Sequence, residues 1–282
     1  VNDLGRIALF GDVGAHAEPF AAQLRLLGCD PATGYIPEGL VIVQVGDLVH
    51  RGPDSTGCLR LADRFMSESP GQWLQIFGNH EGHELGGPGI GGYEGALDAE
   101  GRRILRRWWD DGTAVLGVGL DTAEYGPMLA VHGGLTRTFW STIGAPTRPG
   151  DAARLLNRMV GTAPELAFRP GIMLRSHTDR PYENPGVAWA EAGTELYISW
   201  FHAAGPPPFG QVHGHSSAYR WRDARWQAWT PEVVKMANGL IDREVRHLYT
   251  DLGGRVFIGI DPGHGQHPTT RWGPLVLHGT VS

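Results

Sequence analysis

Short apolar runs recur along the chain, and each ends in a glycine beside a polar residue. The run 7–10 precedes Gly11-Asp12, 41–45 precedes Gly46-Asp47, and 73–77 precedes Gly78-Asn79. Further on, 128–131 leads into His132-Gly133-Gly134, 211–212 into His213-Gly214-His215, and 256–260 into Asp261-Pro262-Gly263. Brief runs bounded by glycine predict buried strands, each delivering a polar group at its C-terminal end. Helical patterns separate the first three. Glu18-Pro19 opens one that carries Phe20, Leu24 and Leu27 and closes at Gly28. Asp54 is placed to cap the second, in which Cys58, Leu61, Ala62, Phe65 and Met66 share one face. Alternating strand and helix predicts α/β units whose polar strand ends converge on one edge. The spacing also predicts a hairpin of 115–120 with 128–131, a helix around 152–160, an amphipathic helix over 230–250 and a strand pair within 219–229. The glycine-rich stretch 82–97 reads as a loop beside the third strand end, and 141–195 as an insertion or cap.

Composition narrows the class. The 282 residues carry a formal charge of −6, which disfavours a basic nucleic-acid-binding surface. The 42 glycines and 20 prolines stay below the roughly 25–30% that marks low-complexity disorder, so the glycines belong to ordered turns. Two cysteines, Cys29 and Cys58, are too few for a disulfide framework. No long apolar stretch or leader pattern is present, so a soluble, cytoplasmic protein without membrane contact is expected. Thirteen histidines exceed what packing requires and direct attention to metal or acid–base chemistry.

In order, the strand ends present Asp12, Asp47, Asn79, His132 and His215. Carboxylate, amide oxygen and imidazole together suit Mn, Fe or Zn better than the all-oxygen cages of Ca²⁺ or Mg²⁺. A carboxylate such as Asp47 can bridge two ions about 3.5–4 Å apart, an arrangement that clamps a phosphoryl oxygen and lowers the pKa of bound water. Hydrolysis is the implied reaction. A serine hydrolase is the competing class, because Gly214-His215-Ser216-Ser217-Ala218 approaches a nucleophile elbow, with Asp261 and His264 or His278 downstream of Ser216. That reading has alanine where glycine is needed at 218, and it leaves Asp12 and the segments 47–52 and 78–81 unused.

Gly11-Asp12-Val13, Gly46-Asp47-Leu48-Val49-His50-Arg51-Gly52, Gly78-Asn79-His80-Glu81, His132-Gly133-Gly134-Leu135, Gly214-His215 and Ile260-Asp261-Pro262-Gly263 form an ordered set. It resembles the motifs of calcineurin-like metallophosphoesterases, in their phosphoprotein phosphatase branch, over roughly residues 6–265. The resemblance implies a single α/β domain over 1–282, a four-layer αββα sandwich of two mixed β-sheets with a dinuclear metal site at strand C-terminal ends. Two divalent ions are implied, Mn²⁺ first and Fe or Zn as alternatives. Asp12 would serve the first ion, Asp47 would bridge, and Asn79, His132 and His215 would complete the second. His80 would be the general acid, and Arg51 and Asn79 would hold phosphate. The implied reaction is hydrolysis of phosphate monoesters, in a phosphorylated protein of the serine/threonine type or a small phosphoester, with nucleotide or dinucleoside-polyphosphate hydrolysis as the alternative.

The departures from that pattern are specific. Gly14 stands where the first ion's histidine belongs, and His16, two residues later, is the candidate replacement. His50 stands where an aspartate orients the catalytic histidine; its imidazole can accept the His80 proton but brings no negative charge. Slower turnover or a moved pH optimum is expected, as is weak occupancy of the first site. His213 and His83 are accessory candidates set against supporting or surface roles. In the stretch 184–191, Glu191 replaces a second phosphate-binding arginine, for which Arg175 is the substitute candidate. These departures leave room for a weakly active or non-catalytic member of the fold.

Overall fold

The computed structural model describes residues 5–88, 97–177, 184–226, 241–263 and 271–282, with backbone alone over 175–177. The strands are β1 (Gly5–Phe10), β2 (Leu40–Gln44), β3 (Trp73–Ile76), β4 (Ala114–Val115), β5 (Gly117–Thr122), β6 (Gly126–Val131) and β7 (Gly210–His213), followed by β8 (Tyr219–Arg220), β9 (Arg225–Trp226), β10 (Ile241–Asp242), β11 (His247–Asp251), β12 (Val256–Gly259) and β13 (Leu275–Val281). The helices that bear on the site are α1 (Ala17–Leu26), α2 (Ser55–Glu68), α3 (Asn79–Glu84) and α4 (Ala99–Asp110), with α5 (Arg137–Thr142) and α6 (Pro149–Thr162) beyond them.

Eleven strands run in the order β10-β11-β12-β7-β6-β5-β13-β1-β2-β3-β4, and β8 pairs with β9 alone. The strands β1 to β4 form one parallel group and β6, β7 and β12 another. Two separate sheets were expected; the hydrogen bonding is instead continuous. The reason is β13, which pairs antiparallel with β1 from Leu275 to Gly279 and with β5 from Gly279 to Val281, bridging the two groups.

Alternation along the strands sorts the core. Ile7, Leu9, Val43 and Val45 pack in one buried cluster with Met128, Ala130, Val212 and Ile258 from the other half of the sheet. Their neighbours Ala8, Phe10 and Ile42 join Phe20 and Leu24 of α1 and Cys58, Leu59 and Phe65 of α2. Burying a side chain such as Phe65 contributes about 1.5–3 kcal/mol, and its ring stacks on Trp73 at 5.0 Å. Beyond the other half, Leu196, Tyr197 and Trp200 pack with Leu248 and Phe257. The helix over 55–68 carries the predicted cap, with Gly57 N–H donating to Asp54 Oδ1 at 2.7 Å.

Two expectations need correction. Residues 241–251 form the hairpin β10–β11 and not a helix, because Asp242 Oδ1 accepts from Glu244 N–H (3.0 Å) and Val245 N–H (3.3 Å) in a tight turn that Arg246 closes at φ +59°. The remainder of that stretch, 227–240, lies outside the described residues. The loop expected at 82–97 begins as the end of α3, and 89–96 lie outside the described residues. The hairpin β5–β6, the helix α6 and the short pair β8–β9 follow the sequence pattern. Among the described residues no helix is long and apolar enough to cross a membrane.

Candidate metal centre

The polar residues after β1, β2, β3, β6 and β7 meet because the loops that carry them are tied together by backbone contacts. Val13 and Gly14 N–H both donate to the Asp47 carbonyl, at 3.1 and 2.8 Å. Gln44, buried at the end of β2, donates from Nε2 to Gly11 O (3.2 Å) and Gly46 O (2.7 Å). Gly46 takes φ +105°, and a Cβ on Gly78 would overlap the Asp47 carboxylate. Glycine is therefore a steric requirement at the ends of β2 and β3.

Four non-glycine site residues hold left-handed backbone: Asp47 (φ +57°), His50 (+68°), Arg51 (+70°) and His215 (+64°). Each such residue costs on the order of 1–3 kcal/mol and persists where its surroundings over-determine it. Around Asp47 and His50 the over-determination comes from Glu81, for which the sequence reading assigned no role. Its buried carboxylate accepts from Asp47 N–H (2.8 Å), Leu48 N–H (2.8 Å), Val49 N–H (3.3 Å) and Gly78 N–H (2.8 Å). The available signal was its place three residues after Gly78 at the start of α3, the N3 position from which a glutamate reaches back to the N-cap backbone N–H.

Asp47, His132 and His215 present ligand atoms within 4.8 Å of one another, all three buried. His132 Nδ1–H donates to the Val45 carbonyl (2.8 Å), so its Nε2 carries the lone pair. That nitrogen lies 2.9 Å from Asn79 Oδ1 and 3.3 Å from Asp47 Oδ1, both acceptors. His215 directs Nδ1 to the same Asn79 Oδ1 at 2.9 Å. The Trp189 carbonyl acts on the ring, and its Nε2 is buried without a hydrogen bond of normal geometry. Burial holds His132 neutral, pushing its pKa down to about 3. Nitrogen and oxygen atoms converging on one point, with the His132 Nε2 lone pair aimed at two acceptor oxygens, fit a bound cation.

Asp12 joins from β1, its Oδ1 accepting His215 N–H at 2.9 Å. Burial, and then the charges of Asp261 and Asp47, hold its carboxyl well above the ordinary range. Asp47 is raised the same way, by burial and then by Glu81. Divalent cations relieve this crowding of negative charge.

His80 lies alongside, with Nε2 3.6 Å from Asp47 Oδ2 and Nδ1 3.1 Å from His50 Nδ1. His50 Nε2 is 2.9 Å from Glu84 Oε1. The Arg51 guanidinium acts on Asp47, His80, His215 and Asp261, so its charge is held over the site. His83 packs its ring edge-on to His50 at 6.1 Å. His213 is not at the cluster: it is buried behind the site, where Tyr197 O–H donates to its Nε2 at 2.8 Å.

His16 stands at the N-cap position of α1 without a side-chain capping bond, outside the Asp47–His132–His215 group as Asp12 also is, and a Cβ on Gly52 would lie 2.9 Å from its Nε2. Other candidates stand elsewhere. Glu191 turns away to accept from Thr194 N–H at 2.5 Å, capping the π-helical turn Ala192–Tyr197. The Arg175 side chain and His264 lie outside the described residues. Ser216 Oγ accepts Ala192 N–H at 2.9 Å. His278 sits on β13 opposite Arg6, at the start of β1 and away from the strand ends that hold Ser216, and its Nδ1 pairs with Glu124 Oε1 at 2.8 Å. His278 and Ser216 therefore form no triad.

The family profile described as calcineurin-like phosphoesterase matches residues 5–240. The chain belongs to that family, whose members are metal-dependent phosphoester hydrolases. Among solved structures, it is similar to a cold-active protein-tyrosine phosphatase of a psychrophilic Shewanella species, with TM-score 0.56 and 15% identity over 97% of this chain and 75% of that one. A point variant described as a cold-active protein tyrosine phosphatase gives TM-score 0.55 and 16% identity, again over 97% and 75%. At such identities the likeness is one of fold. No curated protein sequence matches the chain.

Proposed function

We propose that this chain is a two-metal phosphomonoesterase acting on phosphorylated protein, built as one domain over 1–282 whose sheet halves form the inner layers of an αββα sandwich. The observation that carries the reading is the sharing of Asn79 Oδ1 by His132 and His215, at 2.9 Å each, beside Asp47 and within reach of His80. In this reading Asn79, His132 and His215 hold one ion, Asp47 bridges, and Asp12 holds the other; Mn²⁺ is the expected metal, with Fe or Zn as alternatives. Bound there, the ions withdraw charge from a phosphoryl oxygen and lower the pKa of a coordinated water toward neutrality. Arg51 holds and orients the phosphate oxygens through its planar guanidinium. His80 delivers a proton from Nε2 to the departing alkoxide oxygen, which leaves poorly as an anion. Phosphoprotein is favoured as substrate by the motif set and by the names of the phosphatases that share the fold.

The test is hydrolysis of p-nitrophenyl phosphate with added Mn²⁺ by wild type, Asn79→Ala and His80→Ala. Loss of the general acid is expected to lower kcat about 10²–10⁴-fold. A wild-type rate no higher than that of the variants overturns the enzyme reading. Phosphoserine, phosphothreonine and phosphotyrosine peptides, compared with a dinucleoside polyphosphate, decide the substrate; preference for the last overturns phosphoprotein.

A further inference from the structure

Next to the metal cluster, Glu84, His50 and His80 stand in line, and the line ends at Asp47. Glu84 is the last residue of α3, and its side chain is largely covered. Its Oε1 lies 2.9 Å from His50 Nε2, His50 Nδ1 lies 3.1 Å from His80 Nδ1, and His80 Nε2 lies 3.6 Å from Asp47 Oδ2. His80 and Glu84 are four residues apart on α3 and so share one face of the helix. The imidazole of His50, carried on left-handed backbone at φ +68° and anchored by its N–H to Ser55 Oγ (2.9 Å), is wedged between them.

The direction of each bond follows from donor chemistry. A carboxylate only accepts, so His50 carries its proton on Nε2 and donates it to Glu84. A neutral His50 then has its lone pair on Nδ1. In the acid form that protonates the leaving group His80 is an imidazolium, so its Nδ1–H can only donate, His50 Nδ1 accepts it, and Nε2–H is left to be delivered. His80 is thereby fixed with Nδ1 engaged and Nε2 turned to the metal-ligand side. We propose that Glu84 is a positioning residue that orients His80 through His50 and supplies, one ring further away, the negative charge that the sequence lacks at position 50. Arg102 Nη1, 3.9 Å from Glu84 Oε2, closes the outer end of the line. The inference rests on the reading of His80 as the general acid, and it makes His50 a conductor of the carboxylate's influence.

The experiment uses the full chain in two backgrounds, wild type and His50→Asp, with Glu84→Gln made in each. Glu84→Gln is expected to lower kcat for p-nitrophenyl phosphate about tenfold with KM unchanged in the wild type, as removal of an orienting partner does. In the His50→Asp background, where a carboxylate contacts His80 directly, the same change is expected to cost less than about twofold. ¹⁵N spectra of the metal-stripped full chain report the tautomers independently of turnover: His50 as Nε2–H and His80 as Nδ1–H, the latter lost in Glu84→Ala. An equal cost in both backgrounds, no cost in the wild type, or an unchanged His80 tautomer in Glu84→Ala overturns the proposal. A His80→Ala rate equal to wild type overturns the general-acid reading instead, while the tautomers still decide whether Glu84 orients His80.

Discussion

The two ends of the candidate centre are built to different densities. At one end, Asp47, Asn79, His132 and His215 arrive from four separate strand ends and place nitrogen and oxygen atoms about 3 Å apart around one point. At the other, Asp12 stands with Gly14 at φ +55° behind it, and His16 occupies the N-cap position of α1 without a side-chain capping bond. The dense end is tertiary, fixed wherever β2, β3, β6 and β7 pack as they do. The thin end depends on a single loop, where glycine stands at the position the family motif gives to a histidine. Metal affinity should therefore be asymmetric, with the tight site at the His132–His215 end.

The comparison can be broken in several ways. The largest effect is expected at Glu81, whose carboxylate accepts four backbone N–H groups and holds the Asp47 loop against α3. Glu81→Ala should cost about 3 kcal/mol or more in denaturant unfolding and abolish metal binding at the dense end, because buried N–H groups lose a charged acceptor. A variant with unchanged stability and metal content would show that the Asp47 loop holds its strained backbone without help. Asp47→Asn comes next. It should lower phosphatase kcat more than about 10²-fold, and it should remove the stabilisation expected of the wild type from Mn²⁺, about 2.7 kcal/mol at 100 times the Kd.

Restoring the missing ligand sharpens the contrast. Dialysed against a mild chelator, the wild type should retain about one ion per chain by elemental analysis, and Gly14→His about two. Two ions held tightly by the wild type would erase the asymmetry. The variant should also lose about 1 kcal/mol of stability, since histidine must adopt the left-handed backbone found at Gly14.

The smallest effect separates acid unfolding from acid release of metal. His247, buried on β11 away from the centre, donates from Nε2 to Gly273 O at 3.0 Å, and burial pushes its pKa down to about 4. The unfolded chain takes up a proton here near pH 6.5 and the folded chain only near pH 4, so stability falls as pH drops through that window. His247→Phe should flatten the slope of unfolding free energy by up to about 1.4 kcal/mol per pH unit between those values, with metal content unchanged. An identical slope would mean that groups at the centre carry all of the acid sensitivity.

Much of the fold was legible because its signals are local. The runs ending at Gly11, Gly46 and Gly78 became β1, β2 and β3, and the residues after them meet as expected. The helix expected over 230–250 failed in its described part because an Asp242-centred turn outweighs an amphipathic period that a hairpin can also satisfy. Glu81 was quoted within a motif and given no task, since the four N–H groups it gathers lie up to 34 positions away in sequence. Glu84 was missed for the same reason: its partner His50 is 34 residues distant.

By itself the sequence determined which chemistry was available: which residue types end each strand, and where glycine permits the sharp turns that bring backbones together. Only the tertiary structure decided how those groups are used. It joined two expected sheets through β13 and set Glu84 behind the histidine that stands where a carboxylate was expected. The physical reason is range. Strand, helix and turn preferences are settled within a few neighbouring residues, whereas hydrogen-bond direction, burial and metal geometry depend on groups that packing brings from distant parts of the chain.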